Sequence, residues 1–276
     1  MEPIKSELLV LLRRHDLLRA ALLAGSVHDA NFDVEPYVER VLEIAARAWQ
    51  RTGQHTDDPV RVVQAIAETL AVDVGLARGE RAKHVLDDPE RHYLHRLLDR
   101  RTGSPITVAI LFACVAQQLK LSFRVVALPS QLLIRVDDVV RPFYADPFED
   151  GKTYTEEDLQ RKLRTAMQRG KLLSTSLYEV VGPKQLVGRL LTQLKQSYLM
   201  KGRALEALRT VELLTAIYPN SPELTRDRGI LYCEIEYFSH AVRDLKTYLK
   251  ARPNASDVQE VKKLTSMLKG CREILN

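Results

Sequence analysis

Five identities recur at one interval near the C-terminus. Tyr198 returns as Tyr232, Ala207 as Ala241, Arg209 as Arg243, Pro219 as Pro253 and Asn220 as Asn254, each 34 residues on. A period of that length is a helix–turn–helix unit of two antiparallel helices. The aromatic fills the inner face of the first helix, the alanine lets the second approach closely, and the proline stops the second before the next unit. One unit cannot bury its apolar face alone, so such units stack and leave a concave groove. Repeat helices are expected near 184–201, 203–217, 221–236 and 238–251, with a last helix to about 274. In that last helix Val258, Val261, Leu264, Met267 and Leu268 are expected to cap the second repeat.

Composition narrows the remainder. Apolar residues make up 45% of 276, an ordinary share for a globular chain. No uninterrupted apolar run reaches the ~18–20 residues that span a bilayer, so no membrane role is expected. The opening MEPIKSELLVLLRRHDLLRAALLAG carries acids and arginines through its apolar stretch. That suits an amphipathic helix better than a secretion signal and points to a cytoplasmic protein. Cys114, Cys233 and Cys271 are odd in number and lack metal-type spacing. They fit a reducing compartment and argue against a disulfide framework or a zinc site. No glycine pattern for a phosphate or dinucleotide occurs, so no cofactor is expected.

Net charge is +5, unevenly placed: residues 1–150 hold 19 Lys/Arg against 22 Asp/Glu, and residues 151–276 hold 22 against 14. The basic half could attract an acidic partner. Its positives alternate with negatives, which reads as solvated helix faces. With no reader motif and no basic stretch interleaved with aromatics, the sequence argues against nucleic acid.

The first hundred residues read as helical, without a catalytic motif. On the helix opening at Asp33-Val-Glu-Pro-Tyr, the residues Val38, Val41, Leu42, Ala45 and Trp49 recur at three and four and mark one buried face. Asp58 caps a helix with Pro59 in its first turn. Asp88-Pro89-Glu90 starts a short helix ending near Arg101.

Texture changes at Gly103. GSPITVAILFACVAQQLKL is apolar around most of its circumference, the mark of a helix buried mid-domain. FRVVALP, QLLIRVD and RPFYADPF follow, three short runs suited to antiparallel strands. Thr155 at the cap, with Asp158 or Glu157 returning to the free amides, then forms a capping box for a helix to about residue 169. The pair Gly182-Pro183 divides the chain into a front part, 1–182, and a repeat part, 183–276.

The segment RRTGSPITVAILFACVAQQLKLSFRVVALPSQLLIRV…FYADPFEDGKTYTEEDL resembles the transglutaminase-like core of the bacterial SirB-type family. Members of that family join such a core to C-terminal tetratricopeptide repeats, which the 34-residue echo resembles. The resemblance implies an α+β, mostly helical fold: a papain-like core with a small antiparallel sheet, then repeats. It places the site at Thr107, Gln131 and Asp146.

The chemistry at those positions is degenerate. A transglutaminase-type site needs a Cys thiolate at the buried helix's N-terminus, a His base on the next strand and an acid to orient it. Here the helix begins Gly103-Ser104-Pro105-Ile106-Thr107, and Ser130-Gln131 stands where the base is expected. No histidine lies between 96 and 239. Only the acid survives, as Asp146. The sequence therefore points to a non-catalytic interaction or regulatory scaffold that binds a protein or peptide through its repeats. The alternative is a residual hydrolase or acyltransferase on the degenerate site.

Other groups are read by the same weighing. Cys114, two turns into the buried helix, is a core filler rather than a nucleophile. His92 and His95 form a partly exposed HxxH pair that lacks a third metal ligand. Asp146-Pro147-Phe148 reads as an Asx-type turn. Arg226, Asp227 and Arg228 either line the repeat groove or form a solvated ion-pair cluster.

Overall fold

The computed structural model describes residues 1–276 except 28, 30, 55–56, 77–87, 129–130, 138–140, 169–178 and 275–276. Ser130, His28, His55 and His84 lie outside the described residues.

The helix predicted to be buried all round organises the front of the molecule. It is the sixth in chain order, α6 (Pro105–Gln118), and every residue from Ile106 to Ala116 is buried. Around it pack α2 (Leu17–Leu22), α3 (Glu35–Arg51), α4 (Pro59–Glu68) and α5 (Leu94–Arg100). The opening segment, read as one amphipathic helix, is instead two, α1 (Glu2–Arg13) with Leu8 and Leu12 turned inward and α2, separated by His15 at φ 56°. Asp58 accepts from the amides of Val60 and Arg61, with Pro59 in the first turn, as the sequence predicts.

Three further expectations need correction. On α3 the buried residues are Val38, Val41, Ile44, Ala45 and Ala48, whereas Leu42 and Trp49 are 44% and 38% exposed. A stripe read through Leu42 and Trp49 sits to one side of the true stripe, which is centred on Val41, Ala45 and Ala48. The segment after Asp88 is not one helix. A 3-10 turn, Pro89–His92, precedes α5, and Tyr93 between them is extended. That break sends the Tyr93 hydroxyl to the Tyr198 hydroxyl. His92 and His95 consequently fall on different elements, and both are buried rather than partly exposed. The His95 ring packs 4.5 Å from Phe32 and 5.1 Å from Tyr93.

The three predicted strands are β1 (Phe123–Leu128), β2 (Gln131–Val136) and β3 (Phe143–Asp146). Two more were missed, β4 (Lys152–Tyr154) and β5 (Glu179–Val181), each too short to show a period. The described pairings are antiparallel, in the order β4-β3-β2-β1-β5. Alternation splits the sheet between two cores. Val125, Ile134 and Ala145 face the cluster around α6, while Val126, Leu133 and Tyr144 meet Tyr154 and Leu159 on the other side. Leu159 belongs to α7 (Glu156–Gln168), where Thr155 and Asp158 make the reciprocal capping bonds at 3.0 and 3.2 Å.

The repeats follow as α8 (Pro183–Met200), α9 (Ala204–Ile217), α10 (Pro222–Glu234) and α11 (Phe238–Ala251), then α12 (Val258–Ile274). Ala207 and Ala241 are fully buried where paired helices meet. Val258, Val261 and Leu268 of α12 are buried over the second repeat, but Met267 is 61% exposed and takes no part in the cap.

The first repeat is bound into the front of the molecule. The main hydrophobic cluster runs without a break from Leu8 through α6 to Leu214, Ile217 and Leu231. Lys5 pairs with Glu212 at 3.7 Å, and Arg209 donates to the Val27 carbonyl at 3.4 Å. Ala241, Val242, Leu245, Tyr248, Val261 and Leu268 form a separate, smaller cluster.

Candidate functional site

Thr107 lies in the first turn of α6, where the resemblance puts the nucleophile, and it is fully buried. Its hydroxyl donates to the Ser104 carbonyl at 2.9 Å and also lies 3.3 Å from the Arg91 carbonyl. The Ser104 hydroxyl is 3.3 Å away. Gly103 makes room for this arrangement, because a Cβ there would lie 2.5 Å from both Thr107 Oγ1 and Leu97 Cδ1. A neutral hydroxyl held by backbone acceptors is a poor nucleophile; activation needs a base beside it.

Asp146 ends β3 and is also fully buried. Its carboxylate accepts from the Phe148 amide at 2.9 Å, and its carbonyl accepts from the Gly151 amide at 2.9 Å. This is the Asx-type turn predicted from Asp146-Pro147-Phe148, and it aims the chain into β4.

Gln131 opens β2 opposite Leu128 and lines a cleft of about 350 Å³. The core wall of that cleft includes Pro105 and Ile106 from the start of α6. The facing wall is α8 with Arg189, Thr192 and Gln193. Sequence reasoning missed these three. Their signal is the i, i+3, i+4 spacing, which puts one polar face on a helix otherwise read only as repeat. Arg189 contacts Glu179 of the edge strand β5 at 3.0 Å.

In the repeats, Arg226, Asp227 and Arg228 take part in ion pairs within the stack. Arg226 reaches Asp227 at 2.8 Å and Asp257 at 2.7 Å, and Lys195 reaches Asp227 at 2.7 Å. The Tyr248 hydroxyl and Arg226 hold the Asp257 carboxyl below the usual carboxylate range. Arg228 grips Asp244 with two bonds, at 2.6 and 3.1 Å, so the two helices of the second repeat are tied together.

Cys114 is buried in α6, and burial pushes its thiol above the ordinary range. Thiol alkylation requires thiolate and access. Native protein treated with iodoacetamide at neutral pH is expected to leave Cys114 unmodified, and denatured protein to label it fully. Rapid native labelling, read by peptide mass, would reopen the case for a thiol enzyme.

Comparison with known proteins agrees with this geometry. Residues 35–192 match the transglutaminase-like superfamily, and residues 194–265 match a tetratricopeptide repeat family. A UPF0162 protein of Xylella fastidiosa is 31% identical over 63% of this chain and 63% of its own length. Protein SirB1 of Salmonella typhimurium is 29% identical over 58% of this chain and 60% of its own. F-box only protein 21 of Pongo abelii is 27% identical over 57% of this chain but 26% of its own length. The chain thus spans less than two thirds of the curated relatives it matches. No solved structure gives a significant match. The match over residues 35–192, more than half of the chain, places it in the transglutaminase-like superfamily, and the match over 194–265 adds tetratricopeptide repeats after the core, in keeping with the buried helix, five-stranded antiparallel sheet and C-terminal helices.

Proposed function

We propose that this protein is a non-catalytic interaction scaffold of a reducing, cytoplasmic compartment, in which a transglutaminase-like pseudo-enzyme core supports a repeat-type binding surface. The observation that carries the reading is the Thr107 hydroxyl, buried and bonded to backbone at the position where the thiol of an active relative would stand. The absence of histidine from 96 to 239 leaves the degenerate site without its usual base. The repeat face that bears Arg226, Asp227 and Arg228 is proposed as the surface for a protein or peptide partner, its ion pairs fixing the shape of the groove. Among the described residues no helix is long and apolar enough to cross a membrane.

The test is a turnover assay on the full chain with a glutamine-containing peptide and a fluorescent primary amine, alongside a peptide-amide hydrolysis assay. The expected result is no product above buffer, and no change in Thr107→Val. Product formation that Thr107→Val or Gln131→Ala abolishes would replace the scaffold by a residual hydrolase or acyltransferase.

A further inference from the structure

The cleft beside Gln131 is built from two parts of the chain. Its core wall is largely apolar, with Ile106, Leu128 and Leu132. Its repeat wall is polar, with Arg189, Thr192 and Gln193 on one face of α8. The volume, about 350 Å³, is at the small end of the roughly 300–1,000 Å³ typical of ligand pockets. It suits one apolar side chain and the polar groups next to it, not a folded segment.

The electrostatics select the polar part of the ligand. Among the described residues that line the cleft, Arg189 is the one cation and none is an acid. The acid that Arg189 meets, Glu179, lies outside the lining, and both side chains are substantially exposed, so their ion pair is weakly held. The described contact runs from one Arg189 Nη to one Glu179 oxygen, whereas a guanidinium can serve a carboxylate through two parallel bonds. A single arginine matches a carboxylate monoanion; a phosphate dianion would be left partly uncompensated. Thr192 Oγ1 donates to the Gly188 carbonyl at 2.8 Å, which leaves its oxygen able to accept. With the amide of Gln193, the cleft offers donors and acceptors of the kind a peptide backbone needs.

We propose that this cleft binds the C-terminal end of a polypeptide whose last residue is apolar, with Arg189 taking the carboxylate and the Ile106–Leu128–Leu132 wall taking the side chain. Recognition of a chain end by a carboxylate-binding site is a recurrent peptide-binding mode. The assignment rests on the reading that this site binds rather than reacts. It also gives the site a mechanical role, because a ligand there touches the core and the first repeat together.

The experiment uses the full chain and fluorescence polarisation of fluorescein-labelled Ala-Ala-Leu with a free carboxylate, beside the same peptide as its C-terminal amide. The free acid is expected to bind at least tenfold more tightly than the amide. Arg189→Gln is expected to erase that difference and Arg189→Lys to keep part of it, while Arg243→Gln on the second repeat leaves it intact. Equal binding of acid and amide, full preference in Arg189→Gln, or no binding of the acid would each overturn the assignment. N-acetyl-leucine competing more weakly than the tripeptide supports a peptide end; equal competition supports the carboxylate site and gives it to a free small acid. Mass analysis of the bound peptide separates the two readings. Cleavage or acyl transfer would overturn the non-catalytic reading and leave the carboxylate site standing. Absence of both binding and turnover would overturn the carboxylate site alone.

Discussion

Gly151→Ala is expected to lower the unfolding free energy by about 2–5 kcal/mol, the sum of ~1–2 for a left-handed non-glycine residue and ~1–3 for overpacking. Gly151 closes the turn between β3 and β4 with φ +71°, a conformation that side chains resist. A Cβ there would also lie 2.7 Å from the Ala67 Cβ of α4. Neither atom can swing away, since both are fixed to backbone. Asp150, just before it, is already left-handed at φ 52°, so the turn has little room to redistribute strain. Gly202 supplies the control: its φ is +66°, but nothing lies within 4 Å of a Cβ. Gly202→Ala should therefore cost only the backbone share, ~1–2 kcal/mol. Urea melts of both variants decide the point. If Gly151→Ala proves no worse than Gly202→Ala, the close approach of the β3–β4 turn to α4 is not a real constraint.

That turn also shows what could be read from the sequence. Asp146-Pro147-Phe148, with Gly151 three residues on, is local turn chemistry, and the Asx-type bond from the Phe148 amide follows from it. The buried α6, strands β1 to β3, the capping box at Thr155 and the five C-terminal helices were legible for the same reason: each has a period or cap of its own. Strands β4 and β5 have three residues each, and their place is decided by neighbours rather than by pattern. Leu42 and Trp49 fit a helical stripe as well as Ile44 and Ala48 do. Only the packing of α3 against α6 chooses between them. The break at Tyr93 likewise has no period or cap of its own in the sequence, and the contact it serves, the Tyr198 hydroxyl on α8, lies 105 residues away.

The candidate site divides along the same line. Loss of thiol and imidazole is visible in the residues themselves. The place of Arg189 in the cleft is not: the i, i+3, i+4 spacing marks a polar face on α8, but the packing of that helix against the core decides what the face meets. Similarly, Arg226, Asp227 and Arg228 announce charge, but their partners Lys195, Asp244 and Asp257 lie 16 to 32 residues away.

Ala241→Leu is expected to destabilise the second repeat by ~1–3 kcal/mol, the usual cost of forcing added methylenes into a filled contact. The contact is tight: Ala241 is fully buried, and a Cβ added at Gly229 would lie 3.2 Å from the Leu245 backbone nitrogen. Relief requires α10 and α11 to separate, which also strains the Arg228–Asp244 bonds between them. How far the damage spreads depends on which surfaces are shared. Ala241, Leu245, Tyr248, Val261 and Leu268 form their own cluster, small enough that this cost is a large part of its local stability. The first repeat instead shares the main core through Leu186, Leu190, Leu194 and Leu214, and Tyr198 bonds to Tyr93. Native-state hydrogen exchange should therefore show amides of α11 and α12 losing protection while α8, α9 and α6 keep theirs. The cooperative boundary would then fall inside the repeat array, between its two units. Loss in α8 and α9 with α6 still protected would move it back to Gly182-Pro183. Equal loss in α6 and α11 would mean that core and repeats open as one unit, and the two clusters would have no separate thermodynamic meaning.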